Sequence, residues 1–382
     1  MAFARAPEPK SLLGYRRILS PTCGLRVSPL ILGGMNFGDA WRDWLGDCSK
    51  DEAFRILDFY YENGGNFIDT ANNYQDEQSE KWIGEWLAER GVRDQMVVAT
   101  KFSNRISPNG ARPIQANEQG NHAKSLITSL EASLQKLQTS YVDILYLHWQ
   151  HCRWDFTTSI EEVMQALNRM VQNGKVLYLG VSDTPAWVVS RANQYARDHG
   201  MAQFVVYQGR WSAAVRDAER ELLPMCRSEG MAFAAWGAMG GGAFRSEQDR
   251  KAVAARSAGL VNDPVYIKVS RALEQVAKRK SASITQVALA YVMQKTPYVF
   301  PVIGGRKVEH LESNIGALRI CLHQEDLDEI DDANTFDLGF PMGFLYGLVP
   351  EQKYRLGAPL DATHSGTILQ HVPQQEAIKF SG

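Results

Sequence analysis

The chain has 382 residues, of which 45% are apolar and 10% aromatic, ample for a large buried core. Its formal net charge of -2 gives no electrostatic reason to expect nucleic acid or an anionic membrane surface as a partner. No apolar run reaches the roughly twenty residues that a membrane span needs. The opening MAFARAPEPKSLLGYRR has no apolar block followed by small residues, so no secretory signal is expected. Cys23, Cys48, Cys152, Cys226 and Cys321 are scattered and form no C-x-x-C pair. They fit reduced thiols of a cytoplasmic protein better than a disulfide framework or a zinc site.

In chain order, short apolar runs mark candidate strands at Leu30–Gly33, Asn66–Asp69, Val97–Lys101, Ile144–His148, Val176–Ser182, Phe204–Gln208, Ala232–Trp236 and Val299–Ile303. Between them lie segments with apolar residues at helical spacing, such as DEAFRILDFYYEN, EKWIGEWLAERG, KSLITSLEASLQKLQ and SIEEVMQALNRMVQNGK. Several end at glycine after a polar or basic turn, as helix ends often do. Strand alternating with helix predicts parallel pairing with right-handed crossovers, and eight such units close into a (β/α)8 barrel. The competing doubly wound sheet is disfavoured because GGMNFGDAWRDW, after the first strand, is not a G-x-G-x-x-G turn. The chain reads as one domain, with the barrel over about 28–320 and a tail over 332–382. Long loops follow the third strand (103–122) and the fourth (WQHCRWDFTTS), on the face where barrel active sites lie.

Three of these runs end in charged or ionisable residues: Asp69, Lys101 and His148, with Tyr74 in the loop after the first of them. In a barrel all four reach the same rim. Taken singly, each is an ordinary turn, cap or rim residue; together they suit one chemistry. A phenol with a pKa of about 10 is a poor acid at neutral pH. A nearby ammonium lowers that value, a carboxylate keeps the ammonium charged, and a histidine orients an oxygen or shares a proton. His151 and Cys152 are adjacent potential ligands without distant partners, so no metal is expected.

The stretches FIDTANNYQ...SEKWIGEWL, VVATK and VDILYLHW resemble the aldo-keto reductases, with aspartate, tyrosine, lysine and histidine in matching places from about Leu30 to about Leu318. The variants GGMNFGDAW, GKVLYLGVSDTPAW, YQGRW and GGGAF are most similar to the fungal aryl-alcohol dehydrogenase and norsolorinic acid reductase subgroup. The resemblance implies a nicotinamide site over the barrel mouth. Gly34, Met35, Asn36 and Asp69 match residues beside the nicotinamide half, and Ser182, Asp183 and Gln208 match those that hold the carboxamide. The family more often has asparagine where Asp183 stands, and an ionised carboxylate accepts but cannot donate. Trp236 matches the aromatic under the nicotinamide ring. Gly237, Ala238, Met239, Gly240 and Gly242, in GAMGGGAF, match a pyrophosphate turn where glycine admits close approach. Gly304, Arg306, Lys307, His310 and Asn314 follow the last strand and match adenosine-phosphate positions, although the family usually has arginine where His310 stands. Two cations before a helix suit a 2′-phosphate, favouring NADPH/NADP+ over NADH. Gln150 to Arg153 are extra residues beside the histidine and make Trp149 and Trp154 uncertain as pocket walls.

The expected function is an NADPH-dependent oxidoreductase passing hydride between nicotinamide and a carbonyl or alcohol, with an aromatic or polyketide-type substrate of fungal secondary metabolism. Tyr74 would carry the proton, Lys101 tune it, Asp69 hold Lys101, and His148 place the oxygen. Trp41, Trp44, Phe336, Phe340, Phe344 and Tyr346 are candidate walls of an apolar pocket. The alternative is a non-catalytic NADPH-binding regulatory subunit of the channel β-subunit type. A barrel hydrolase would need paired acids at strand ends and leaves Lys101 beside Tyr74 without a role. The oligomeric state is not legible in the sequence.

Overall fold

The computed structural model describes residues 5–106, 113–148, 155–251, 258–347, 354–356, 366–367 and 370–380. An antiparallel hairpin, β1 (Arg17–Ser20) and β2 (Cys23–Val27), precedes the barrel strands β3 (Ile31–Gly33), β4 (Phe67–Asp69), β5 (Val97–Phe102), β6 (Val142–Leu147), β7 (Val176–Ser182), β8 (Phe204–Arg210), β9 (Ala232–Trp236) and β10 (Val299–Ile303). They close in the order β10-β3-β4-β5-β6-β7-β8-β9, and the ladders from β10 round to β8 are parallel. Helices fill the crossovers: α1 (Arg42–Leu45) and α2 (Lys50–Glu62) precede β4, α3 (Gln78–Arg90) precedes β5, and α4 (Ala123–Lys136) precedes β6. Next come α5 (Ile160–Gln172), α6 (Ala186–Asp198), α7 (Leu222–Glu229), α8 (Glu247–Lys251), α9 (Ala258–Val261), α10 (Pro264–Lys280) and α11 (Ile284–Lys295). After β10 run α12 (Val308–Gly316), α13 (Gln324–Asp332) and α14 (Met342–Gly347). This is the expected (β/α)8 barrel. The hairpin and the short α14 of the tail are elements that the sequence reading missed.

Contacts along the chain define two compact units. One comprises Met1–Gln208, Gly230–Ala234 and Val302–Ile315; the other comprises Gly209–Glu229, Ala235–Pro301 and Gly316–Gly382. In the first unit, Ser49 caps α2 by accepting from the Glu52 amide, and Ala53, Ile56, Leu57 and Tyr60 form its buried stripe. The Tyr60 hydroxyl donates toward the carbonyls of Leu30 (2.7 Å) and Phe67 (2.9 Å), tying the entry of β3 to the start of β4. Ser159 caps α5 in the same way, over a stripe of Ile160, Val163, Met164 and Leu167. β5 and β6 are buried along their whole length, as parallel strands covered on both faces should be.

The second unit centres on a buried ion network. Glu219, which has no exposed surface, accepts from Arg216 (2.9 Å), Lys295 (3.0 Å) and the Trp211 indole (3.1 Å). Lys295 also reaches Asp331 at 2.7 Å. Burial alone would raise the Glu219 pKa, but the two cations hold it below its ordinary value. The guanidinium groups of Arg216 (4.7 Å) and Arg220 (4.9 Å) lie over the Phe336 ring, and the Tyr354 hydroxyl donates to the Glu219 carbonyl at 3.0 Å. Phe340 and Phe344 are exposed.

Among the described residues no helix is long and apolar enough to cross a membrane. Cys23, Cys48, Cys226 and Cys321 are free thiols, and no group of three or more His, Cys, Asp or Glu residues is placed to hold a metal ion among the described residues. Trp149, Gln150, His151, Cys152, Arg153 and Trp154 lie outside the described residues.

Gly84 of α3 is where the end of α4 comes closest. A Cβ there would stand 2.2 Å from the Lys136 carbonyl oxygen and 2.7 Å from the Leu137 Cα. Backbone cannot swing aside as a side chain can. Gly84→Ala is expected to lower unfolding stability by about 1–3 kcal/mol, measured as an earlier urea midpoint; an unchanged midpoint would show that the two helices can separate freely.

Candidate active site

The parallel register sets the site. Asp69 ends β4 opposite Ala99 of β5, and two residues further along β5 Lys101 lies opposite Tyr146 of β6. His148 follows β6 directly, and its amide donates to the Phe102 carbonyl at 3.1 Å, extending the ladder by one step. Alternation places these side chains together at one end of the barrel strands.

Lys101 has no exposed surface, and its ammonium is fully occupied. Nζ donates to Asp69 Oδ1 at 2.5 Å, to the Thr70 carbonyl at 2.8 Å and to the Tyr74 hydroxyl at 3.5 Å. Burial works against the charge, but Asp69 and the tyrosine oxygen outweigh it, so the Lys101 pKa lies above its ordinary value. Asp69 Oδ2 accepts from Gln208 Nε2 at 2.9 Å, drawing β8 into the same network. The Tyr146 ring lies 5.7 Å from Lys101 Nζ. It fits because β7 has Gly180 opposite: a Cβ there would stand 2.5 Å from the ring.

Tyr74 behaves differently from the sequence expectation in one respect. Its largest influence is burial, which raises the phenol pKa; Lys101 pulls it down, Asp69 pushes it up again, and the net direction is upward. The tuner is in place, but exclusion of water outweighs it. The phenol therefore keeps its proton throughout the neutral range, as a proton donor must. His148 is driven well below its usual value by burial and then by the Lys101 charge, so its ring is neutral.

The loop that carries Tyr74 is held from several sides. Gln75, Asp76 and Glu77 all adopt left-handed backbone (φ 52°, 50° and 77°), a costly run for residues with a Cβ. Lys136 of α4 braces it, donating to the Asn72 carbonyl (2.9 Å) and Glu77 (3.1 Å) and forming an ion pair with the buried Glu80 (2.7 Å). Gln75 donates to the Met35 carbonyl (3.0 Å) and accepts from the Trp41 amide (2.7 Å). The Trp41 indole donates to Asp76 at 3.0 Å and sets its ring edge-on to Tyr74, with centroids 6.2 Å apart. Trp44 packs on Trp41 at 5.8 Å and is otherwise exposed.

The remaining sequence-selected residues group as follows. Gly34, Met35 and Asn36 form a tight turn after β3, and the Asn36 amide lies 3.2 Å from where a Cβ of Gly304 would be. Ser182 is buried at the end of β7; Asp183 follows in left-handed backbone (φ 44°), its amide donating to the Gln208 carbonyl at 2.9 Å. Arg306, Lys307 and His310 are exposed around the start of α12, while Asn314 is buried within it. Arg306 rests on Gly46, where a Cβ would stand 1.7 Å from its Nη1. In the second unit Trp236 keeps 37% of its surface exposed, 5.9 Å from the Arg210 guanidinium. Gly237, Gly240, Gly241 and Gly242 all have positive φ, with Ala238 buried and Met239 half-buried between them. The sequence reading missed Tyr146, Gln75, Asn104 and Lys136. Tyr146 alone had a local signal, standing two residues before His148 on the same strand face.

The raised phenol value predicts a late titration. The difference in phenolate absorbance between wild type and Tyr74→Phe should develop only above pH about 10. The unfolded chain loses this proton first, so the group costs stability as pH rises past that point. Phenolate appearing near neutrality would reverse the ranking of burial over Lys101.

The profile described as "Aldo/keto reductase family" matches residues 29–335. Norsolorinic acid reductase A of Aspergillus parasiticus is 52% identical over 382 residues, covering 99% of this chain and 97% of that relative. An aryl-alcohol dehydrogenase of Pestalotiopsis microspora is 51% identical over 90% of this chain and 88% of its own length. A putative aryl-alcohol dehydrogenase of Saccharomyces cerevisiae is 50% identical over 90% of this chain and 93% of its own. With the profile spanning most of the sequence and the barrel rim bearing the matching aspartate, tyrosine, lysine and histidine, the chain belongs to the aldo/keto reductase family of oxidoreductases.

Proposed function

We propose that this reductase uses NADPH to interconvert a carbonyl and an alcohol, with Tyr74 as the proton donor in reduction and the acceptor in oxidation. The observation that carries the reading is the Lys101 ammonium, held by Asp69 at 2.5 Å and facing the Tyr74 hydroxyl at 3.5 Å, next to a neutral His148. Bound NADPH supplies the hydride. The protein holds the substrate oxygen between the phenol and the imidazole, and the ammonium stabilises the phenolate left by proton transfer. Asp69 keeps the ammonium charged. Gln208 joins Asp69 to the strand that, in this reading, holds the carboxamide together with Ser182 and Asp183.

Each unit, taken by itself, presents groups that suit part of a dinucleotide. Arg306 and Lys307 are exposed cations preceding the first turn of α12, whose amides suit an anion. In the second unit an exposed indole and a run of positive-φ glycines suit ring stacking and a pyrophosphate. The preference for an aromatic or polyketide-type substrate rests on Trp41, edge-on to Tyr74 and pinned through its indole N–H, and on relatives named for norsolorinic acid and aryl alcohols. The free thiols among the described residues fit a reducing compartment such as the cytoplasm, and the relatives named for norsolorinic acid and aryl alcohols support a place in fungal secondary metabolism. The regulatory-subunit alternative is disfavoured by reductase and dehydrogenase relatives that align along most of the chain.

Tyr74→Phe should bind NADPH as wild type does, by cofactor fluorescence, and lose about 10²- to 10⁴-fold in turnover with aryl aldehydes. Wild-type turnover in that variant would end the assignment. Arg306→Ala should raise KM for NADPH roughly tenfold or more, as expected for loss of a charge-assisted contact, and leave NADH unaffected. Equal effects on both cofactors would remove Arg306 from the phosphate site.

A further inference from the structure

We propose that Asn104 is a positioning residue that holds His148 in its Nε2–H tautomer, so that the ring presents a donor, not an acceptor, to the substrate oxygen. Asn104 follows β5 and is 5% exposed. Its Nδ2 lies 2.9 Å from His148 Nδ1 and 3.4 Å from Asn73 Oδ1. Asn73 Oδ1 can only accept, so the side of the Asn104 amide that faces both groups is the NH₂. Turning the amide round would set two carbonyl oxygens against each other. An NH₂ aimed at Nδ1 requires an unprotonated Nδ1. The neutral imidazole has one proton, and it is therefore on Nε2.

Asn72 Nδ2 donates to the Asn104 carbonyl at 2.8 Å and to Ser129 at 2.9 Å, clamping the backbone of Asn104 to α4. Asn104 Oδ1 is buried and has no hydrogen-bond partner among the described residues. The same asparagines flank Tyr74, so the donor phenol and the donor imidazole are set by one side-chain lattice. His148 and Tyr74 meet edge-on, with centroids 6.2 Å apart. A substrate oxygen between them would accept from both, which is the arrangement in which negative charge on that oxygen is stabilised.

The effect on catalysis rests on the proposed role of His148; the tautomer does not. The test is a long-range ¹H–¹⁵N correlation of the histidine rings in the full-length protein, with His148→Gln identifying the signal. Wild type should show a protonated Nε2 and a bare Nδ1, unchanged over roughly pH 5 to 8. A protonated Nδ1 in wild type would overturn the inference without any variant. Asn104→Asp places a carboxylate against Nδ1 and should draw a proton there, giving the reversed or doubly protonated pattern. Turnover should fall at least about tenfold, with NADPH affinity kept. An Asn104→Asp ring pattern identical to wild type would also overturn the inference. A reversed pattern with undiminished turnover would uphold the tautomer assignment and instead remove His148 from the proposed chemistry.

Discussion

A lysine ammonium with no solvent contact is stable only if its partners replace the water it has lost, and the site is organised by that requirement at Lys101. Asp69 supplies the counter-charge and the Thr70 carbonyl a second acceptor, both from the end of β4. The third direction is left to the Tyr74 hydroxyl at a longer distance. Because Asp69 also accepts from Gln208, one carboxylate ties β4, β5 and β8 together in a region of low dielectric. Ionic pairing here does little that apolar residues would not do for stability; it sets where one ammonium points.

That direction has consequence because the phenol is itself half-buried. Solvent exclusion pushes its pKa up, and the ammonium offsets only part of the rise. The result is an acid that retains its proton at neutral pH yet has a cation at hand when the proton leaves. His148 follows the same logic with opposite sign: burial and the nearby cation keep it uncharged, so it can be a directional hydrogen-bonding group and not a second positive charge.

Precision comes from what surrounds these groups. A left-handed run of three residues is unfavourable by itself, and it persists because Lys136, Gln75 and the asparagines fasten it to α4, to the turn after β3 and to the loop after β5. Gly84 and Gly180 contribute through absence of a side chain, one admitting α4 and the other the Tyr146 ring. The second unit uses a comparable device elsewhere, where Glu219 and Asp331 share Lys295 and Arg216 beneath Phe336 and Tyr354.

Apolar runs ending in Asp69, Lys101 and His148 were enough to read the barrel and the rim. The strands Val176–Ser182, Ala232–Trp236 and Val299–Ile303 have the same bounds in both readings. Strand periodicity and polar strand ends are local properties, and a parallel register converts them into shared direction. The hairpin Arg17–Val27 escaped because its strands are only four and five residues long and β1 shows no alternation, although β2 buries Cys23 and Val27 and exposes Gly24 and Arg26. Asn104, Lys136 and Gln75 escaped because nothing local separates a loop amide or a helix-terminal lysine that folds inward from one that faces water. The sequence by itself determined which ionisable groups share an end of the barrel. The tertiary structure alone decided the sign of the Tyr74 shift and the direction of the His148 ring, because both depend on solvent exclusion and on neighbours from distant strands, which exist only once the barrel has closed.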